Sequence, residues 1–178
     1  LLFCSLLGIL YLKFVGVVEL KTTNSYHVHN LNTSISYKTI QEAVDAPETL
    51  DGHTIFVEGG TFCEHIVVKK AVFLVGDGKQ NTILDGYGNG TIISIQSSAV
   101  VDGFTIQNGS IGIALDFSSS GRISNNTIQN NELGLCLFNS HNWTVSGNLM
   151  TNNYDASIIL NSSDNNTIKE NVVSHNHF

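Results

Sequence analysis

Two His-x-His pairs, His27-Val28-His29 and His175-Asn176-His177, put paired imidazoles on one face of an extended backbone, a pattern that can ligate copper or zinc. Neither pair has a Cys, a Met or a third His nearby, so both read as surface histidines, and no metal site or cofactor is assigned. Asp85, Asp102 and Asp116 can meet only if the fold stacks distant segments; taken singly, each reads as a solvent-facing turn residue. Trp143, Tyr154 and Phe138 have rings able to stack on sugars, although Phe138 also suits packing. The set assigned to carbohydrate is therefore Trp143 and Tyr154 with Asp102 and Asp116. Asn-x-Ser/Thr triplets begin at Asn32, Asn89, Asn108, Asn125, Asn142, Asn161 and Asn165. A repeat rich in Asn, Ser and Thr generates such triplets by composition; Asn89, Asn142, Asn161 and Asn165 are carried as candidate glycosylation sites.

What must position these groups is an internal repeat. Val101-Asp102-Gly103-Phe104-Thr105-Ile106-Gln107-Asn108 recurs from Ile123, Val145 and Ile168, at offsets of 22, 22 and 23 residues. Fixed self-similarity of short β-type runs predicts a solenoid of stacked coils. Eight residues upstream, Ile93, Leu115, Leu137 and Leu160 are expected to hold one further common place. Apolar alternation without a 3.6-residue period predicts strands with one face in and one out. Stacking at about 4.8 Å makes Val101, Ile123, Val145 and Ile168 one buried ladder, and Ile106, Ile128, Met150 and Val173 another. Asn126, Asn148 and Asn171, then Asn108, Asn130 and Asn152, then Ser118, Ser140 and Ser163 are expected as polar ladders, with Asn also serving left-handed corners. The predicted fold is all-β, a right-handed parallel β-helix, its handedness resting on crossover chirality and on the resemblance below.

Of the 178 residues only 13% are charged and 42% are hydrophobic, which suits one elongated domain with a narrow core. A net charge of −7 and eight basic residues without a cluster exclude a nucleic-acid footprint. Residues 1–20, apolar to about Val18 and broken by Lys13, read as a truncated signal peptide or membrane anchor, and any membrane contact is expected only there. Residues 21–35 read as a linker and 36–178 as the β-helix, incomplete at its C-terminal end. Cys63 and Cys136 are expected as buried thiols, a bridge between them staying open. Thr39 and Glu42 fit a capping box opening a short helix with Ile40, Ala43 and Val44 as its apolar stripe and Pro47 as its stop, placed to plug the N-terminal mouth.

Thr39-Ile40-Gln41-Glu42-Ala43-Val44, Gly60-Thr61-Phe62-Cys63-Glu64-His65-Ile66 and Leu74-Val75-Gly76-Asp77-Gly78, running on to Thr82-Ile83-Leu84-Asp85-Gly86, resemble the opening of pectin-lyase-like β-helix proteins. The later coils look more like NosD-type and carbohydrate-binding repeats of microbial surface proteins. The resemblance implies where family chemistry would lie. The methylesterase Gln-Ala-Val-Ala-Leu element falls near Ile111-Gly112-Ile113-Ala114-Leu115, which lacks the Gln. The Gln-Asp-Thr-Leu element falls near Asn130-Asn131-Glu132-Leu133, with Asn in place of the acid, and Asp155-Ala156-Ser157-Ile158 matches the third element poorly. Polygalacturonase motifs are absent, and Arg122, the only Arg, has no acidic cluster around it in sequence. The expectation is a secreted or cell-surface module, non-catalytic, structural, adhesive or polysaccharide-binding, whose partner is a polysaccharide or cell-envelope glycan. A fragment of a polysaccharide lyase, hydrolase or esterase and a NosD-type copper-site accessory protein stay open as alternatives.

Overall fold

The computed structural model describes residues 27–177, so the leader expected over residues 1–20 lies outside the described residues. The order is β1 (Val28–Asn30), β2 (Ile35–Tyr37) and α1 (Ile40–Asp45), then coils of three strands. The first coil is β3 (Thr54–Val57), β4 (Gly60–Phe62) and β5 (Ile66–Val68); the second is β6 (Phe73–Gly76), β7 (Thr82–Asp85) and β8 (Thr91–Ile95). Next come β9 (Val100–Asp102), β10 (Thr105–Gln107) and β11 (Ile111–Asp116), followed by β12 (Arg122–Ser124), β13 (Thr127–Gln129) and β14 (Leu133–Phe138). The fifth is β15 (Thr144–Ser146), β16 (Leu149–Thr151) and β17 (Ala156–Asn161), and β18 (Thr167–Lys169) and β19 (Val172–Ser174) open another. First strands stack into sheet A, second strands into sheet B and third strands into sheet C. The molecule is a parallel β-helix.

Register is set by the apolar ladders, because a slip of one residue would turn each inward side chain to solvent. Ile55, Leu74, Val101, Ile123, Val145 and Ile168 are successive partners in sheet A. Leu84, Ile106, Ile128, Met150 and Val173 are successive partners in sheet B. In sheet C, Leu115, Leu137 and Leu160 align as expected, but their partner one coil earlier is Ile95, while Ile93 pairs with Ile113. The step from Ile95 to Val101 is two residues shorter than the equivalent step from Leu115 to Ile123, so a fixed backward count lands on the wrong inward position.

The corners correct a second expectation. Asn126, Asn148 and Asn171 form the A-to-B ladder: Asn126 and Asn148 each donate a backbone N–H to the next amide oxygen, at 3.0 and 2.9 Å. Asn108, Asn130 and Asn152 form no such ladder. They take φ of 60°, 54° and 55°, the left-handed turn at the B-to-C corner. The ladder there is one residue later, Asn131, Asn153 and Asn176, and Gly109 N–H donates to Asn131 Oδ1 at 2.9 Å. Ser118, Ser140 and Ser163 do stack: Ser140 Oγ accepts Ser118 N–H at 3.2 Å and Ser163 Oγ accepts Ser140 N–H at 3.1 Å.

An open solenoid end presents unpaired strand edges, and here two devices cover the first coil. β1 pairs antiparallel with β3 and with β2, so the part of the expected linker from Val28 to Ile35 is a structured cap rather than a tether. Val28 and Asn30 face inward and are buried; Asn30 Nδ2 donates to Thr49 Oγ1 at 2.8 Å, and its Oδ1 accepts Asn32 N–H at 3.0 Å. α1 buries Ile40, Ala43 and Val44 over the mouth, with Thr39 accepting Glu42 N–H as N-cap. Gln41 reaches the β5 edge: its Oε1 accepts Val67 N–H at 2.7 Å, and its Nε2 donates to Val67 O at 3.2 Å.

Glu64 accepts the Ile40 and Gln41 N–H groups at 3.0 and 3.1 Å, yet burial dominates and holds its carboxyl above the usual carboxylate range. A raised folded pKa means that stability from this group is complete below the unfolded pKa and is lost as pH rises through the folded one. The thermal midpoint of Glu64→Gln relative to wild type should therefore climb as pH rises above about 4. A difference that stays constant with pH would refute this assignment.

Candidate functional site

The B-to-C corner carries polar side chains with no internal work to do. In two successive coils the left-handed residue, Asn130 or Asn152, swings its side chain outward while the following Asn turns in to the ladder. Asn130 and Asn152 are exposed, whereas Asn131 and Asn153 are buried. Register places Ser110, Glu132 and Asp155 at one position of three successive coils, just before β11, β14 and β17. The result is a cleft of about 510 Å³ lined by Gly88, Gly109, Ser110, Asn130, Asn131, Glu132, Asn152 and Tyr154. A second cleft bounded by Tyr154, His175 and His177 shares Asn152 with it and continues it along the axis. Tyr154 is 75% exposed and stacks on His177, with ring centroids 5.7 Å apart and planes 27° apart. Two free amides, a carboxylate and an aromatic face along a groove can accept and donate to hydroxyls while a ring packs on an apolar sugar face.

Of the residues assigned to carbohydrate from sequence, only Tyr154 lies in this groove. Trp143 is 1% exposed and belongs to the hydrophobic core, packed beneath Gly121 of the preceding coil, so it cannot be a sugar platform. Sequence marked it as exposed because it stands between Asn142 and Thr144; the missing side chain at Gly121 makes room for the indole. Asp102 lies on sheet A and accepts a hydrogen bond from Ser124 Oγ; Asp116 ends β11 of sheet C. Asp85 lies on sheet B and accepts from Gln107 Nε2 at 3.0 Å and Asn108 Nδ2 at 2.8 Å. Three sheets therefore hold the three carboxylates, and the fold does not bring them together. Glu132 and Asn152, which the groove uses, were not assigned from sequence; the adjacent Asn-Asn of Asn130-Asn131 was the available signal.

Glu58 receives both imidazoles of the first His pair, His27 Nδ1 at 2.8 Å and His29 Nε2 at 3.0 Å. These hydrogen bonds hold its carboxyl below the usual range, and His29 Nδ1 lies 2.7 Å from Ser36 Oγ. Among the described residues, no group of three or more His, Cys, Asp or Glu is placed to hold a metal ion. Cys136 is a free thiol; burial pushes it up to about 11, which keeps it protonated and unreactive. Cys63 is not a thiol as expected but disulfide-bonded, and not to Cys136. Asn89, Asn142, Asn161 and Asn165 are all exposed, Asn142 and Asn165 in left-handed turns.

Residues 70–177 match the family described as a right handed beta helix region. A cell surface glycoprotein of Methanothermus fervidus is 36% identical over 89 residues, which is 50% of this chain and 15% of that protein. A probable pectinesterase/pectinesterase inhibitor 17 of Arabidopsis thaliana is 39% identical over 75 residues, 39% of this chain and 15% of that protein. A mutant pectin methylesterase solved in complex with a hexasaccharide is similar at a TM-score of 0.50 and 8% identity, covering 74% of this chain and 64% of that one. At that identity the likeness is one of fold.

Proposed function

Because the chain belongs to the right-handed β-helix family, we propose that it is a secreted or cell-surface module that binds a polysaccharide without cleaving it. The observation that carries this reading is the B-to-C groove, where Asn130, Asn152, Glu132 and the exposed face of Tyr154 follow one another along the axis. The names of a cell surface glycoprotein and a pectinesterase among its relatives support an extracytoplasmic setting and a carbohydrate partner. The dispersal of Asp85, Asp102 and Asp116 over three sheets removes these three as a converging acid, base or nucleophile for ester or glycoside cleavage, and leaves Glu132 and Asp155 as the neighbouring carboxylates at this corner.

Affinity electrophoresis against a panel of soluble polysaccharides tests the reading. Retardation by at least one glycan is expected. Tyr154→Ala should weaken it roughly tenfold, in line with an aromatic contact of about 1–1.5 kcal/mol. That variant should unfold at the wild-type temperature, because the ring contributes little to the core. Methanol release from methylated pectin would instead favour the esterase alternative. Binding that survives loss of the Tyr154 ring would move the site elsewhere.

A further inference from the structure

Resting on the polysaccharide-binding reading, we infer that the B-to-C groove selects an uncharged glycan and rejects polyuronates. A sugar carboxylate needs a cationic partner, most effectively a guanidinium fork or an ammonium. No Lys or Arg lines either cleft. The described cations lie elsewhere. Arg122 and Lys169 are on sheet A strands, and Lys79 is in an A-to-B turn. Lys38, Lys69 and Lys70 flank α1 and the first coil. The groove instead presents Glu132, with Asp155 one coil further on at the equivalent position.

A uronate laid along this corner would set its carboxylate against Glu132 with nothing to offset the repulsion. Sugar hydroxyls face the opposite situation. Vicinal O–H groups can donate to the two Glu132 oxygens as charge-assisted hydrogen bonds, while the Asn130 and Asn152 amides both donate and accept. Glu132 and both amides are solvent-exposed, and no intramolecular hydrogen bond occupies their side chains, so binding a hydroxyl displaces only water. The charge that repels one class of ligand is therefore the strongest acceptor for the other.

The test is affinity electrophoresis of the full chain at about pH 8. Uncharged glucans, galactomannan and N-acetylated chains are compared with polygalacturonate and alginate at low ionic strength. Wild type should bind an uncharged chain at least tenfold more tightly than either polyuronate. Glu132→Gln should weaken the uncharged ligand about tenfold and narrow the gap, with its thermal midpoint unchanged. A wild-type preference for polyuronate that depends on Tyr154 would overturn this inference and leave the polysaccharide-binding reading standing. An unchanged preference in Glu132→Gln would overturn it as well. Binding to no polysaccharide would overturn both.

Discussion

Asn131→Ala is expected to lower the free energy of unfolding by about 3 kcal/mol, whereas Asn130→Ala, one residue away, should cost about 1 kcal/mol. The Asn131 amide is 2% exposed, accepts Gly109 N–H at 2.9 Å and donates to Ile106 O and Asn153 Oδ1, each at 3.2 Å. Truncating it strands a buried N–H and a carbonyl that water cannot reach, each costing roughly 1–3 kcal/mol. Asn130 is exposed and occupied with holding a left-handed φ of 54°. Alanine there bears only the left-handed strain, and Asn130→Gly should be close to neutral. Urea unfolding of the three variants decides it. Equal losses for Asn130→Ala and Asn131→Ala would mean that the corner does not depend on its amide ladder.

Gly121→Ala should be at least as damaging, at about 3 kcal/mol or more, because a Cβ at this position meets both the Trp143 ring and the Ala99 carbonyl oxygen far inside contact distance. The carbonyl belongs to the coil-to-coil ladder, accepting Arg122 N–H at 2.9 Å, so it cannot retreat without breaking register. The indole must give way instead. Trp143 is the only Trp in the chain, which makes emission a direct readout: blue-shifted in wild type and red-shifted in Gly121→Ala. Trp143→Ala alone should cost about 3–5 kcal/mol through its cavity, and the double variant should lose less than the two single losses together, since each relieves part of the other. Strict additivity, or a native emission maximum in Gly121→Ala, would contradict this packing.

The two ladders of sheets A and B were legible because Val101, Ile123, Val145 and Ile168, and Ile106, Ile128, Met150 and Val173, repeat both in type and in spacing. Ile93 was misplaced by two residues because turn length varies where no core constrains it. The amide ladder at the B-to-C corner was misread by one residue. In an Asn-Asn pair, either residue suits a turn, and only the direction of each side chain separates the buried rung from the exposed one. Trp143 was misread for a related reason, since its neighbours are polar and the space it fills belongs to another coil.

The repeat period and the apolar alternation determined on their own that this chain winds into stacked β coils, because burying one side of every strand leaves a single register open to it. α1 and its cap were equally local, written in Thr39, Glu42 and the stripe of Ile40, Ala43 and Val44. The groove was decided only in three dimensions. Ser110, Glu132 and Asp155, or Asn130, Asn152 and Tyr154, are neighbours solely through the coil-to-coil stack, and whether a polar side chain faces a ligand or a ladder depends on the sign of one backbone φ. Such pairings across a full turn leave no trace in the order of residues, since the spacing that brings them together is common to every other pair on the same coils.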